Sequence, residues 1–421
     1  MHLLCYWYLV LPIQITAKFE SGDFILWIMT LLFLYTRRRM QDFLLGNRSS
    51  LTEFILLGFS GNTKINVILF SVFLFLYLVT LLGNGLIITL IRKDSHLHTP
   101  MYFFLSVLSI LDMGYVTTTV PQMLVHLVSK KKTISYIGCV AQMYIFLMLG
   151  ITESWLFAIM AYDRYVAICH PLRYNVIMSP LLCGLMVAFC RFWGTSCALI
   201  YTISAMILPY CGPNEINHFF CEVPAVLKLA CADTSLNDQV DFVLGFILLL
   251  VPLSLIIIVY VNIFAAILRI RSSQGRLKAF STCASHITVV TMFSIPCMVM
   301  YMRPGSDASP EEDKKLALFY NVISAFLNPI IYSLRNKDVK RAFLKVTGWG
   351  NAPEWSHRSW GTRNKPRTQP TWPLHPNSFE CPWAHLIYQL ATFSGDAYQN
   401  TWRAKAVRVP QAQRYKRVDP M

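Results

Sequence analysis

Long apolar segments recur along the chain, and short polar or charged stretches separate them. About 20 mostly apolar residues in a helix cross the roughly 30 Å hydrocarbon core of a bilayer, and these segments reach that length. The pattern predicts an all-α membrane protein, a seven-transmembrane helix bundle. The predicted spans are 67–91, 101–128, 137–168, 181–201, 242–268, a sixth that is entered through 275–286, and 315–334.

The two ends of the chain differ from this pattern. Residues 1–39 contain one apolar run, 24–35, which is too short to span comfortably and is followed by three arginines. After about residue 346, Trp, Pro, Arg, Asn and Gln are scattered without an apolar period, as in a disordered tail. We therefore expect an atypical N-terminal extension over 1–39, a core over 40–346 and an atypical, disordered C-terminal tail over 347–421. Both ends should be dispensable for folding.

Composition supports a multi-pass membrane protein. Hydrophobic residues make up 55% of the 421 residues, and charged residues only 14% against a usual figure of about 25%. The net charge of +15 comes from bases between apolar runs and in the tail, which is not the pattern of a nucleic-acid interface. We expect a plasma-membrane protein in contact with lipid and no nucleic-acid partner.

The sequence lacks the common motifs of enzymes and metal sites. It contains no HExxH, no GxSxG, no Gly-rich phosphate loop, no CxxC pair and no zinc-like Cys/His spacing. We therefore expect no enzyme activity, no metal centre and no organic cofactor.

Two carboxylates lie inside the predicted spans. At 1.5 Å of rise per residue, Glu153 lies about 16 Å from Arg164 and Asp112 about 18 Å from Pro100, so the carboxylates share one depth near the bilayer middle. Two such neighbours cannot both ionise cheaply, so one is protonated or a small cation lies between them. The plain alternative is a hydrated hydrogen-bond network that only holds helices together.

Three motifs carry a family resemblance. Residues 160–174 read MAYDRYVAICHPLRY at the end of the third span, 278–286 read KAFSTCASH at the start of the sixth, and 328–332 read NPIIY in the seventh. Together they resemble the rhodopsin-like (class A) G-protein-coupled receptors, and specifically the olfactory receptor branch. The resemblance covers about 43–346. The fourth span departs from it, because Arg191 lies where a tryptophan is usual.

The resemblance implies roles for particular residues. It places Asn84, Asp112, Glu153 and Asn328 at an intramembrane polar site that resembles the sodium site of class A receptors. It also implies an activation switch for G-protein coupling. The residues of that switch are Asp163, Arg164, Tyr165, Tyr260, Lys278, His286, Asn328, Pro329 and Tyr332.

Four cysteines are expected on the extracellular side, and by themselves they permit three pairings. The resemblance selects the disulfides Cys139–Cys221 and Cys211–Cys231. It also makes Asn47, in an Asn-Arg-Ser acceptor sequence, an extracellular glycosylation site.

The resemblance further implies a ligand site in the outer half of the bundle. An apolar site with few polar anchors suits a small, uncharged, volatile ligand. The alternative is ordinary helix packing, since apolar stripes usually serve that purpose. The candidate residues are Phe146, Leu147, Gly150, Ile151, Leu244, Leu248, Cys297, Met298 and Tyr301.

Together these features predict an odorant receptor that activates a stimulatory olfactory-type G protein and raises cyclic AMP. An inactive copy with misassigned chain ends, and a transporter that uses Asp112 and Glu153 as an ion path, are the alternatives; the chain shows no internal repeat that would favour transport. The basic loops predict an extracellular N-terminus and a cytoplasmic C-terminus. The basic residues assigned to the cytoplasm are Arg92, Lys93, Arg164, Arg173, Arg269, Arg271, Arg276, Lys278, Arg335, Lys337, Lys340 and Arg341.

Overall fold

The computed structural model describes residues 52–59, 62–210, 213–232, 235–270, 272–302, 309–335 and 337–347. The extensions 1–39 and 348–421, the acceptor Asn47 and the cysteine at 211 lie outside these ranges. Within them, seven helices are long and apolar enough to cross a membrane, which confirms the predicted bundle. The five helices without interruption are α1 (Thr63–Lys93), α2 (Pro100–Val128), α3 (Tyr136–Cys169), α4 (Pro180–Met206) and α6 (Ser273–Tyr301).

Helices α5 and α7 each contain one π-helical turn. Helix α5 consists of Ser235–Gly245 and Val251–Leu268, joined by the π-helical turn Phe246–Leu250. Helix α7 consists of Pro310–Leu318 and Ser324–Arg335, joined by the π-helical turn Phe319–Ile323. A π-helical turn contains one residue more than an α-helical turn. It therefore changes the direction in which the side chains after it point, relative to those before it. A short helix, α8 (Lys337–Thr347), follows α7.

Local sequence explains where the helices begin. The side chains of Asn62, Ser135 and Ser179 accept hydrogen bonds from backbone N–H groups three residues ahead, at 3.0, 3.1 and 3.3 Å. These caps satisfy donors that a helix start leaves unpaired. Pro100 and Pro180 occupy the first turns of α2 and α4, where a missing N–H costs nothing.

A small three-stranded sheet lies at the end of the bundle where α2 connects to α3. The all-α prediction did not include it. Strand β1 (Glu53–Leu56) pairs antiparallel with β2 (Thr133–Ser135) and parallel with β3 (Glu215–Ile216). The strands have only two to four residues, which is too short for an alternating pattern to be recognised in sequence. The sheet joins the segment before α1 to the α2–α3 and α4–α5 connections.

Helix α3 is central, since it packs against α2, α4, α5 and α6. Among the described glycines, Gly194 of α4 has the closest neighbours. A Cβ atom there would lie 2.4 Å from Thr152 Oγ1 and 2.9 Å from the Met148 carbonyl oxygen. Only glycine allows the two backbones to come this close.

Candidate functional site

The predicted intramembrane polar site is partly assembled between α2 and α7. Asn328 Nδ2 donates to both oxygens of Asp112, at 2.9 and 3.1 Å, and both residues are buried. Asn84 Nδ2 donates to the carbonyl of Thr80 at 3.1 Å and to that of Ala325, across to α7, at 3.4 Å. These amides therefore join three helices around one buried carboxylate.

Glu153 on α3 is also buried, but its carboxyl group lacks the hydrogen bonds that Asp112 has. Within the described ranges, its Oε1 atom has no hydrogen-bond partner, and neither does the Oδ1 atom of Asn84. The described residues contain no cluster of three or more His, Cys, Asp or Glu side chains suited to a metal. The described residues do provide a set of buried oxygen atoms, and oxygen is the ligand atom that hard cations prefer.

Near the C-terminal end of α3, Asp163 is hydrogen-bonded to Tyr174 and not to its neighbour Arg164. The Tyr174 hydroxyl donates to Asp163 Oδ1 at 2.7 Å. No described contact joins Asp163 to Arg164 at ion-pair distance, and the two attract each other only at longer range. Successive residues on a helix point about 100° apart, so an adjacent pair does not meet across the surface.

Arg164 lies within electrostatic range of predicted switch residues on other helices. It interacts electrostatically with Tyr260, His286 and Tyr332, which lie on α5, α6 and α7. Tyr260 and His286 are hydrogen-bonded to each other at 2.8 Å through the hydroxyl and Nδ1. The Tyr332 hydroxyl is buried and has no partner within the described ranges.

The other switch residues have simpler surroundings. Tyr165 stacks on Tyr162 and meets His170 edge-on. Pro329 lies where α7 touches α1, and a Cβ on Gly83 would be 3.2 Å from its ring. Lys278 lies in α6, but its side chain is outside the described part of the molecule.

The predicted ligand residues do not form one group. Phe146 and Cys297 belong to the larger apolar core, with Tyr301 packed against it. Met298 is half-buried. A second core, between α3, α4 and the start of α5, contains the rest of the apolar set: Leu147, Ile151, Leu244 and Leu248.

Gly150, the ninth candidate, packs against α2. A Cβ at this position would lie 2.8 Å from the Tyr115 hydroxyl. Tyr115 stacks on Phe146 with ring centroids 4.6 Å apart, and the ring of Phe220, in the α4–α5 connection, is tilted against Phe146 at 4.6 Å. Aromatic rings therefore occupy much of the space that the sequence assigned to a ligand.

The α4–α5 connection folds into the bundle and is fastened to α3. A disulfide joins Cys139 and Cys221, as the resemblance implies. Beside it, the Cys221 backbone N–H donates to Gln142 Oε1 at 2.8 Å. The Cys211–Cys231 pair lies partly outside the described residues and stays a prediction. A β-bridge joins Tyr210 to Ala230, the residue before Cys231.

The residue after this disulfide, Glu222, is the centre of a buried polar cluster. Its Oε1 accepts from the Tyr301 hydroxyl at 2.8 Å and from the Tyr320 hydroxyl, which ties the loop to α6 and α7. Burial raises the pKa of Glu222 to about 7, although both tyrosines act to lower it. The Nε2 atom of His218 lies 3.5 Å from Oε2, and burial lowers the pKa of His218 to about 3. At neutral pH this contact therefore involves an uncharged imidazole and is not an ion pair.

Sequence reasoning missed this cluster. It selected Tyr301 as a ligand residue but assigned no role to Glu222, His218 or Tyr320. One local signal was present, because a carboxylate next to a disulfide that closes onto α3 has to enter the bundle. Its partners are 79 and 98 residues away, and no pattern in the chain connects them.

Comparison with known proteins shows which family this chain resembles. Residues 73–348 match the family model described as Olfactory receptor. The chain is 48% identical over 314 residues to human Olfactory receptor 2A12, an alignment that covers 75% of this chain and 99% of that one. It is 50% identical to human Olfactory receptor 2G3, over 72% of this chain and 98% of that one. It is 49% identical to mouse Olfactory receptor 2A7, over 72% and 97%.

Proposed function

The chain belongs to the olfactory receptor family, and from this premise we propose that it couples odorant binding to a stimulatory olfactory-type G protein and so raises cyclic AMP. Membership makes it an odorant-sensing G-protein-coupled receptor, a multi-pass plasma-membrane protein and not an enzyme. The type of G protein, the second messenger and the place of the ligand are our proposal.

The observation that carries the coupling proposal is the position of Arg164. Its positive charge is close enough to act electrostatically on Tyr260, His286 and Tyr332, which lie on α5, α6 and α7. A charge shared among three helices can favour one of two helix arrangements over the other. Asp163 is held separately by Tyr174, so Arg164 is available for this role. We propose that this end faces the cytoplasm and Asn47 faces outside, in line with the basic loops.

A cyclic AMP reporter tests the coupling step. Arg164→Ala should remove the odorant response of the full chain while its surface level stays unchanged. Arg173→Ala is a matched control, because Arg173 is an exposed arginine a few residues beyond α3 and lies outside the switch. The two substitutions remove the same charge from the same end of the bundle. An odorant response that survives in Arg164→Ala would contradict the proposed mechanism.

We propose that the odorant enters the apolar region between α3, α5 and α6, below the loop that carries Glu222. Both apolar cores reach this region, and a ligand there would contact Phe146 and Leu248. Leu248→Trp should therefore abolish the response or shift it toward smaller odorants. Leu255→Trp is the control, since Leu255 is on the same helix but is 41% exposed toward the lipid. Equal responses in both variants would place the ligand elsewhere.

We also propose that a sodium ion lies at the polar site between α2 and α3. The acceptors without partners, on Glu153 and Asn84, would hold it together with Asp112. A bound sodium ion would offset one of the two negative charges that these buried carboxylates carry when both are ionised. The thermal stability of the purified protein should then rise when sodium replaces choline, and Asp112→Asn should remove that effect. If sodium has no effect on the wild type, the group is a hydrogen-bond network alone.

A further inference from the structure

Helix α4 carries a cation on its lipid-facing side. Arg191 is 11 residues after Pro180, about 16 Å along a helix that is about 40 Å long, so it lies near the middle of the span. Its side chain is exposed, and so are Phe189 and Phe192, at 50% and 67%. Phe192 lies about 100° around the helix from Arg191, so the surface beside the arginine is apolar, as on a side that faces hydrocarbon. On insertion scales, an arginine at this depth is among the most costly residues in a membrane helix.

Nothing in the described part of the chain offsets this charge. Arg191 has no hydrogen bond or ion pair with another described residue. The carboxylates in the interior of the described spans, Asp112, Glu153 and Asp163, are all buried inside the bundle. A second copy of this chain would therefore present no carboxylate at the required depth. Arg191 lies within about 4 Å of the midpoint of α4, so the nearer headgroups are roughly 11 Å away in a hydrocarbon core about 30 Å thick.

We propose that this side of α4 binds a transmembrane helix of another membrane protein, one that carries an aspartate or glutamate near its midpoint. The charge complementarity defines the partner, because a carboxylate in hydrocarbon needs a cation as much as Arg191 needs an anion. The surface also allows close approach. Gly184 and Ala188 are exposed one turn apart on the same side as Arg191, and a Cβ on Gly184 would meet nothing within 4 Å. Small residues at this spacing let two helices pack closely.

A designed pair of helices tests this proposal on the full-length chain in cell membranes. The probe is a single-pass leucine and alanine helix with one central glutamate, and its matched control has leucine in that place. Energy transfer between a fluorophore on the receptor and one on the helix measures their association. The glutamate helix should associate about 5- to 30-fold more strongly, the ratio that corresponds to 1–2 kcal/mol for a polar contact between membrane helices.

Three receptor variants separate the charge from the surface. Arg191→Leu should abolish the preference for the glutamate helix, and Arg191→Lys should keep most of it. Gly184→Leu keeps the charge and has free space within the chain, but it should weaken binding of the glutamate helix by obstructing close approach. Equal association of both helices with the wild type would overturn the proposal. A glutamate preference that survives in Arg191→Leu, or enrichment of anionic lipid around Arg191 in place of the helix, would overturn it as well.

Discussion

Replacing Glu222 with glutamine should change how the stability of the protein depends on pH. Glu222 is fully enclosed by the bundle, and its carboxyl group accepts hydrogen bonds from Tyr301 and Tyr320. Glutamine has the same length and still offers a carbonyl oxygen to both hydroxyls. It cannot ionise, so the substitution removes the titration while it keeps the two contacts.

The magnitude follows from the two pKa values of Glu222. Its pKa is about 7 in the folded protein and 4.5 ordinarily. Because the folded value is raised, the contribution to stability is fully present below pH 4.5 and is lost as the pH rises through 7. Between pH 5 and pH 8, this loss amounts to about 2.5 kcal/mol.

His218 has the opposite effect over the same range. Its pKa is about 3 in the folded protein and 6.5 ordinarily, so its contribution is lost as the pH falls below 6.5. From pH 5 to pH 8, the contribution of His218 to the free energy of unfolding rises by about 2 kcal/mol. The two residues together therefore leave the wild type nearly level over this range, and Glu222→Gln exposes the histidine slope. Asp313 and Lys228 also influence Glu222, and Lys314 acts on His218.

The assay is reversible unfolding of the purified full chain in mixed micelles at pH 5 and pH 8. The useful quantity is the difference between Glu222→Gln and the wild type, because all other titrating groups cancel in it. Relative to the wild type, the variant should be about 2.5 kcal/mol more stable at pH 8 than at pH 5. A difference that is the same at both pH values would refute the reasoning and indicate that Glu222 titrates normally.

Three further predictions concern single contacts. Tyr174→Phe should lower the free energy of unfolding by about 1–3 kcal/mol, because it leaves the buried Asp163 without its donor; an unchanged value would show that water replaces the hydroxyl. Gly150→Ala should destabilise by about 1–3 kcal/mol through the clash with the Tyr115 hydroxyl, and Tyr115→Phe in the same chain should restore part of the loss in a thermal shift assay. Cys221→Ser should cost about 4 kcal/mol, since the disulfide joins residues 82 apart, and surface expression at 30 and 37 °C would reveal that loss.

The sequence by itself determined the class of the protein, the number of spans and their approximate limits. Hydrocarbon imposes a minimum apolar length on every crossing helix, so this information is local and can be read from 20-residue segments. The same holds for helix starts, where Ser135 and Ser179 act on backbone groups only three residues away. The family motifs are also local, which is why a set of switch residues could be predicted from them without any coordinates.

The tertiary structure decided which polar groups meet. Asp163 precedes Arg164 in sequence, yet it binds Tyr174, because adjacent helical residues point in different directions. Glu222 finds its tyrosine partners on α6 and in the π-helical turn of α7, and the packing of these two helices brings both hydroxyls to its carboxyl group. The sequence revealed that Arg191 lies inside a span, but only the packed bundle showed that it faces lipid. Contacts between distant segments depend on helix rotation and closure of the bundle, and neither is encoded in a local pattern.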